Sequence, residues 1–241
     1  MNALRTLQVT TFETHEALSQ AAAQEVIAAV RRKPDALLCL ATGNTPTRTY
    51  ELLANAAQFA PDLFQRVRVL KLDEWGGLEM SDPGTSETYM RQHVLGPLRI
   101  DDSRYFGFNS NPGDPEAECA RYRNWLTANG PVDVSILGLG VNGHVALNEP
   151  AAALKPFAHV AQLAPTSLHH SMLTGRCPTY GLTPGIADLL SARRILFLVS
   201  GAPKREPLQR LLQPQIAPQF PASFLWLHTN AVVMCEREAR G

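Results

Sequence analysis

The sequence predicts an α/β fold: a doubly wound, mostly parallel sheet with helices on both faces, of Rossmann-like type. Three observations predict it. Apolar runs at residues 36–41, 66–72, 132–137 and 194–200 are separated by stretches of helical character, the rhythm of strand–helix–strand units. Each run empties into a polar or glycine-bearing loop, at 42–45, 73–74, 138–149 and 201–204. No internal repeat or low-complexity linker interrupts the 241 residues, so 1–241 reads as a single domain.

Composition bounds the function. Apolar residues make up 45% of the chain and charged ones 18%, which suits a globular protein with a sizeable core. The formal net charge is zero, so no global field draws the chain to nucleic acid or an anionic membrane, and neither is an expected partner. Cys39, Cys119, Cys177 and Cys235 form no C-x-x-C pair, which argues against a zinc ribbon or a redox motif. No metal and no cofactor is expected. With no basic, apolar leader and no run of membrane-spanning length, a cytoplasmic setting is the default expectation. A homo-oligomer is compatible with the sequence, which carries no mark of its stoichiometry.

Residues 4–12 alternate weakly and read as an edge strand. An alanine-rich amphipathic helix follows over 14–32, its basic end suited to the negative pole of the helix. After Pro34 and Asp35, the strand at 36–41 leads into T-G-N-T-P-T. Thr45 is the expected N-cap and Pro46 the first helical residue, the helix running toward residue 57. A strand, a small polar loop and a helix start make a ready anion site, although a plain strand-to-helix turn shares the pattern. The G-x-x-x-x-G-K signature of ATP-binding loops is absent.

The strand at 66–72 ends in Asp73-Glu74-Trp75. Two acids there cost desolvation unless the strand opens into a polar site, and the Trp75 indole can shield one and raise its pKa toward that of a base. The plainer alternative is a solvated turn. Helices are expected over 86–95 and 116–128, with a turn-rich loop over 109–115. Beyond Pro150 the chain is irregular, interrupted by Pro156 and Pro165, as in a lid or a surface excursion. Thr166 is positioned to cap a helix carrying His169 and His170, whose pairing fits packing or surface positions better than metal ligation. A short helix over 182–190, a strand over 194–200 and the Gly201-Ala202-Pro203-Lys204 loop come next. A helix over 207–212 and two strands, over 224–228 and 231–235, complete the expected elements.

The densest chemistry lies at 136–150, I-L-G-L-G-V-N-G-H-V-A-L-N-E-P. Gly138, Gly140 and Gly143 let the backbone turn tightly and bring N–H groups near a ligand. They match the G-x-G-x-x-G spacing of a dinucleotide fingerprint, but no acidic residue follows on a strand about twenty residues later, so a nicotinamide site is not expected. His144 can exchange protons near neutral pH, and Glu149 can orient it and tune its basicity. An ordinary turn with a structural histidine has the same pattern. In a parallel sheet ligands sit at the carboxyl ends of the strands, which gathers Thr42 to Thr45, Asp73, Asn142, His144, Glu149 and Lys204 on one edge. An anion loop, a lysine, a carboxylate and a His/Glu pair fit a phosphorylated substrate undergoing proton transfers.

T-G-N-T-P, L-D-E-W, G-L-G-V-N-G-H-V-A-L-N-E-P and S-G-A-P-K resemble the amino-sugar phosphate deaminase/isomerase family, the glucosamine-6-phosphate deaminase group, over almost the whole chain. N-E-P after the G-H loop is the most specific mark; related 6-phosphogluconolactonases usually continue with a T-A-S-L-F-P-like run. K-P-D-A-L-L-C-L-A-T-G, K-L-D-E-W, P-G-T-S-E-T and P-A-S-F-L-W-L-H look similar to the galactosamine-6-phosphate branch. The resemblance implies ring opening, proton movement between C2 and C1, and loss of ammonia, converting galactosamine 6-phosphate to tagatose 6-phosphate. It implies Asp73 as the carboxylate that abstracts the C2 proton, His144 as the ring-opening base and Glu149 as its partner. Thr42, Gly43, Asn44, Thr45 and Lys204 would hold the phosphate.

Two departures stand out. Glucosamine-6-phosphate deaminases usually have Asp two residues before the loop histidine, where this chain has Asn142, an amide that cannot hold charge, so the catalytic His144 would rely on Glu149 or on tautomer control by Asn142. The family's phosphate-binding arginine after N-E-P is missing; nearby stand His169, His170 and Met172. The basic residues that bind an allosteric amino sugar phosphate are replaced by residues such as His159 and Ala161, so activation through that site is not expected. Glucosamine 6-phosphate as substrate, a lactonase, and a non-catalytic sugar-phosphate sensor remain the alternatives. Such sensors typically carry a helix-turn-helix domain, for which this chain leaves no length.

Overall fold

Leu37, Leu38, Cys39 and Leu40 are consecutive and all buried. Successive strand side chains point to opposite faces, so all four are buried only if both faces of the sheet are covered. The computed structural model describes residues 6–241; the beginning of the expected first strand, at 4–5, lies outside them. In chain order the elements are β1 (Gln8–Phe12), α1 (His15–Arg32), β2 (Leu37–Leu40), α2 (Asn44–Phe59), β3 (Arg68–Lys71) and β4 (Glu74–Gly76). They continue with α3 (Ser86–Met90), α4 (Gly96–Leu98), β5 (Tyr105–Phe106), α5 (Pro115–Asn129), β6 (Val134–Gly138) and β7 (His159–Ala161). The last are β8 (Tyr180–Thr183), α6 (Ile186–Leu190), β9 (Ile195–Val199), α7 (Arg205–Leu211), β10 (Ala231–Glu236) and α8 (Arg237–Arg240).

The main sheet has the order β1-β10-β9-β6-β2-β3-β5, and every neighbouring pair is parallel. This is the doubly wound α/β fold. The period-2 pattern divides the strands' side chains between two cores. Cys39, Leu70, Leu137, Phe197 and Val233 face Tyr122 of α5, Leu189 of α6 and Leu208 of α7. Leu38, Leu40, Val69, Ile136, Leu198 and Met234 face Leu18 and Val26 of α1 and Tyr50 and Leu53 of α2. Each large side chain buried this way contributes roughly 1.5–3 kcal/mol. Helix α1 begins where Thr14 accepts a hydrogen bond from the Ala17 N–H (3.2 Å) and ends on Arg31 and Arg32, as its sequence implies.

Winding runs outward from β2 through β3 to β5, then returns to β6 on the other side of β2 and proceeds through β9 to β10. The switch point therefore lies between β2 and β6. There the loops leaving the two strands part and open a crevice.

Several elements differ from the sequence reading. A second sheet, β4-β8-β7, is antiparallel and was not anticipated, because its three strands have only three or four residues each. The helix expected over 182–190 is cut by Pro184-Gly185: Leu182 and Thr183 belong to β8, and only Ile186–Leu190 is helical. The strand expected over 224–228 is instead a 3₁₀ run, Pro221–Leu227, tied down by the Trp226 indole donating to Leu211 O (2.8 Å). Helix 86–95 is present, but its second half, Arg91–Leu95, widens into a π turn.

Candidate active site

At the switch point lies a cleft of about 570 Å³. Its walls come from the loop after β2, Asp73 and Trp75 after β3, the loop after β6, the 164–173 segment, and Lys204 after β9. Thr42, Gly43, Asn44, Thr45, Asp73, His144 and Lys204 all line it; Glu149 and Asn142 stand behind His144. One edge of the sheet thus gathers the residues singled out from sequence.

The α2 start differs in detail from expectation. The helix begins at Asn44 with Gly43 as N-cap, so Thr45 is not the cap and Pro46 falls in the first turn rather than opening it. Gly43 has φ +102° and ψ −179°, a conformation essentially confined to glycine. Its carbonyl is held by the Thr47 hydroxyl (2.8 Å) and the Tyr89 hydroxyl (3.0 Å), while Thr45 Oγ1 meets Ser200 Oγ (3.1 Å). Among the described residues no side chain caps the helix, so its first N–H groups are suited to a ligand.

Asp73 is half-buried at the end of β3. Burial, and then the charge of Glu74, push its carboxyl up to about 7, against the opposing pull of Lys71. Such a carboxylate is poised to take and return a proton near neutral pH. Glu74, the second acid of the pair, has a different task. It is wholly buried, accepts the N–H groups of Trp75, Ser86 and Glu87, and binds Lys71 Nζ at 2.6 Å. Lys71 also bonds Glu87 (2.8 Å), which in turn accepts the Tyr105 hydroxyl (2.7 Å). Trp75 lies against the 164–173 segment through His170, ring centroids 5.6 Å apart, and its buried indole N–H has no partner among the described residues.

The loop after β6 folds back on itself: Gly140 N–H donates to His144 O (2.9 Å) and Gly143 N–H to Gly140 O (3.0 Å). A Cβ on Gly140 would sit 2.4 Å from the His144 ring, and one on Gly143, at φ +90°, would strike Phe220. His144 Nδ1 faces Glu149 Oε2 at 3.5 Å and Ser167 Oγ at 3.4 Å. Burial tends to raise Glu149, but the hydrogen bond and charge of His144, with hydrogen bonds from Ser167 and Asn142, outweigh it and bring the carboxyl down to about 2. Asn142 spans the loop: its Nδ2 donates to Glu149 Oε2 (2.8 Å) and Thr166 Oγ1 (3.2 Å), and its Oδ1 accepts the His144 backbone N–H (3.1 Å). The amide therefore supports Glu149 rather than touching the His144 ring.

Lys204 follows Gly201, whose N–H donates to buried Glu236 on β10. Burial holds its ammonium below the usual lysine range, and no carboxylate pairs with it among the described residues. It is the one lysine or arginine among the described residues lining the cleft.

Ser167, Trp75 and His170 complete the cleft. The H-H pair at 169–170 stands out in the sequence, but no periodicity distinguishes a cleft histidine from a surface one. Thr166 caps no helix; the segment forms two short 3₁₀ turns, Ser167–His169 and Ser171–Leu173. Among the described residues no group of His, Cys, Asp and Glu is arranged to hold a metal, and no helix is long and apolar enough to cross a membrane.

Comparison with known proteins shows the family to which the chain is similar. A family model described as glucosamine-6-phosphate isomerases/6-phosphogluconolactonase matches residues 10–234. A protein of Bacillus subtilis (strain 168) named glucosamine-6-phosphate deaminase 1 is 38% identical over 237 residues, 97% of this chain and 98% of its own length. One of Escherichia coli (strain K12) named as a deaminase, AgaI, is 40% identical over 224 residues, 92% of this chain and 89% of its own. The solved structure of a monomeric glucosamine-6-phosphate deaminase, 38% identical, matches with a TM-score of 0.92 over 97% of this chain and 98% of its own. The 6-phosphogluconolactonase of Trypanosoma brucei, 20% identical, shares the fold with a TM-score of 0.76 over 97% of each chain.

Proposed function

Because this chain belongs to the glucosamine-6-phosphate isomerase/6-phosphogluconolactonase family, on its amino-sugar phosphate deaminase side, we propose that it converts galactosamine 6-phosphate to tagatose 6-phosphate and ammonia. The observation that carries the chemistry is one cleft holding a carboxylate tuned to about 7, a carboxylate-backed histidine and a lysine that no carboxylate pairs among the described residues. Glu149 beside Nδ1 favours the tautomer with its proton there, leaving Nε2 of His144 as the basic nitrogen. His144 takes the proton of the anomeric hydroxyl and returns it to the ring oxygen, opening the sugar. Asp73 then takes the C2 proton and delivers it to C1 while a proton of the C2 ammonium group passes to the C1 oxygen, leaving an iminium at C2; water adds to that carbon, and ammonia leaves as the ketone forms. The α2 start and Lys204 hold the phosphate.

The galacto sugar is supported by the motif resemblance. A second reading, glucosamine 6-phosphate, is favoured by the names of relatives at 38% identity. An ammonia-release assay with both amino sugar phosphates, run beside a hydrolysis assay on 6-phosphogluconolactone, decides among them. Preferred turnover of galactosamine 6-phosphate is expected; preferred turnover of the gluco epimer selects the second reading, and lactone hydrolysis alone overturns both. Within the same reading, Asp73→Asn is expected to abolish C2 proton exchange while substrate still binds. Exchange persisting at near wild-type rate would remove Asp73 from the base role.

A further inference from the structure

Gly43 lacks a side chain at a point where another ring takes the space. A Cβ there would lie 3.3 Å from His170 Nε2 and 3.4 Å from its Cε1, so the histidine edge rests directly on the α2 start. The ring also lies against Trp75, tilted 42° to the indole with centroids 5.6 Å apart. Its other nitrogen, Nδ1, accepts the Met172 backbone N–H at 3.3 Å. An imidazole that accepts at Nδ1 carries its proton at Nε2, the nitrogen beside the glycine.

We propose that His170 is an anion-binding residue, donating its Nε2–H as a neutral imidazole to a doubly charged phosphate or sulfate group at the start of α2. Lys204 then supplies the single full positive charge of that subsite. This rests on the phosphorylated-substrate reading of the cleft. Protonation of His170 would cost it the Met172 hydrogen bond. Burial, and then the positive charges of His144 and Lys204, also hold it below the ordinary imidazole range. Neither of those two groups is a carboxylate that would favour imidazolium. Trp75 and Gly43, which contact it, do not titrate.

Sulfate is the probe, because it stays doubly charged across neutral pH. Calorimetric titration of the whole protein in two buffers of different ionisation heat measures affinity and protons taken up together. A hydrogen bond to a charged group implies that His170→Phe weakens sulfate binding roughly ten- to a hundredfold. His170→Gln, which retains an N–H donor, is expected to lose less. Wild-type protein is expected to take up no proton at His170, so the uptake measured between pH 6.5 and 8 should be the same in wild type and His170→Gln. Undiminished sulfate binding by a folded His170→Phe variant would overturn the proposal. Uptake near one proton in wild type that disappears in His170→Gln would overturn the neutral state in favour of the cation. Failure of the functional reading looks different: unphosphorylated amino sugar would turn over as well as its phosphate, whatever stands at 170. Absence of any sulfate binding by wild type would overturn the subsite itself.

Discussion

At Asp73 the cost of burying a charge and the need for a base meet in one side chain. Its folded pKa of about 7 lies above the ordinary 3.8, so the ionised form penalises the fold at alkaline pH. That penalty fades as pH falls through 7 toward 3.8, where the folded and unfolded chains hold the proton alike. Asp73→Asn is therefore expected to be more stable than wild type at pH 8, by about 1–3 kcal/mol after solvent screening, with most of the gain gone by pH 4.5. Urea unfolding at the two pH values checks this; equal stability at pH 8 would mean that the carboxylate is solvated. Asn142→Asp acts on the neighbouring pair. One carboxylate oxygen would replace an N–H donor 2.8 Å from Glu149 Oε2, adding like charge there and favouring imidazolium at His144. Both effects raise pKa values, so the acidic limb of kcat/KM is expected to move up in pH. A limb that stays in place would separate residue 142 from the proton-transfer step.

Between β3 and α3, Lys71, Glu74 and Glu87 form an ion network with almost no solvent contact. It fastens β4, and with it Trp75, to the first turn of α3. Lys71→Met leaves buried Glu74 without a cation among the described residues, while Glu87 keeps Arg91 (2.8 Å), and such losses typically cost about 3–5 kcal/mol. It also removes the positive neighbour that lowers Asp73, so the base should need a higher pH to ionise. Denaturant midpoints and the pH profile of kcat/KM test the two halves separately. A loss below about 1 kcal/mol would show that the network relaxes around the gap.

Across the whole molecule, the site depends on strands distant in sequence. Strand β10, near the chain's end, is clamped between β1 and β9 and presents Glu236 to the Gly201 N–H, which sets the turn that carries Lys204. Glu236→Ala is expected to raise KM for the phosphorylated substrate several-fold while changing kcat little, because it loosens a binding group rather than a reacting one. Glu236→Gln, which can still accept from Gly201, should recover most of the loss. Equal falls in kcat and kcat/KM would assign Glu236 to the chemistry instead.

By itself the sequence determined the parallel sheet, since short, uniformly apolar runs such as 36–41 and 194–200, alternating with helical stretches, fit strands covered on both faces. It also determined the edge where Asp73, His144, Glu149 and Lys204 meet, because a parallel sheet puts every strand's carboxyl end on one side. The family resemblance pointed to Asp73 rather than Glu74 as the base, but only the tertiary structure decided the physical difference between the two adjacent acids. Asp73 and Glu74 are alike in sequence, and their difference comes from three backbone N–H groups and a lysine that converge on Glu74 alone. It likewise decided the short antiparallel sheet, the 3₁₀ run at Pro221–Leu227 and the seat of His170 on Gly43. Strands of three residues carry no readable period, and a contact between positions 43 and 170 exists only once the chain has closed the distance between them.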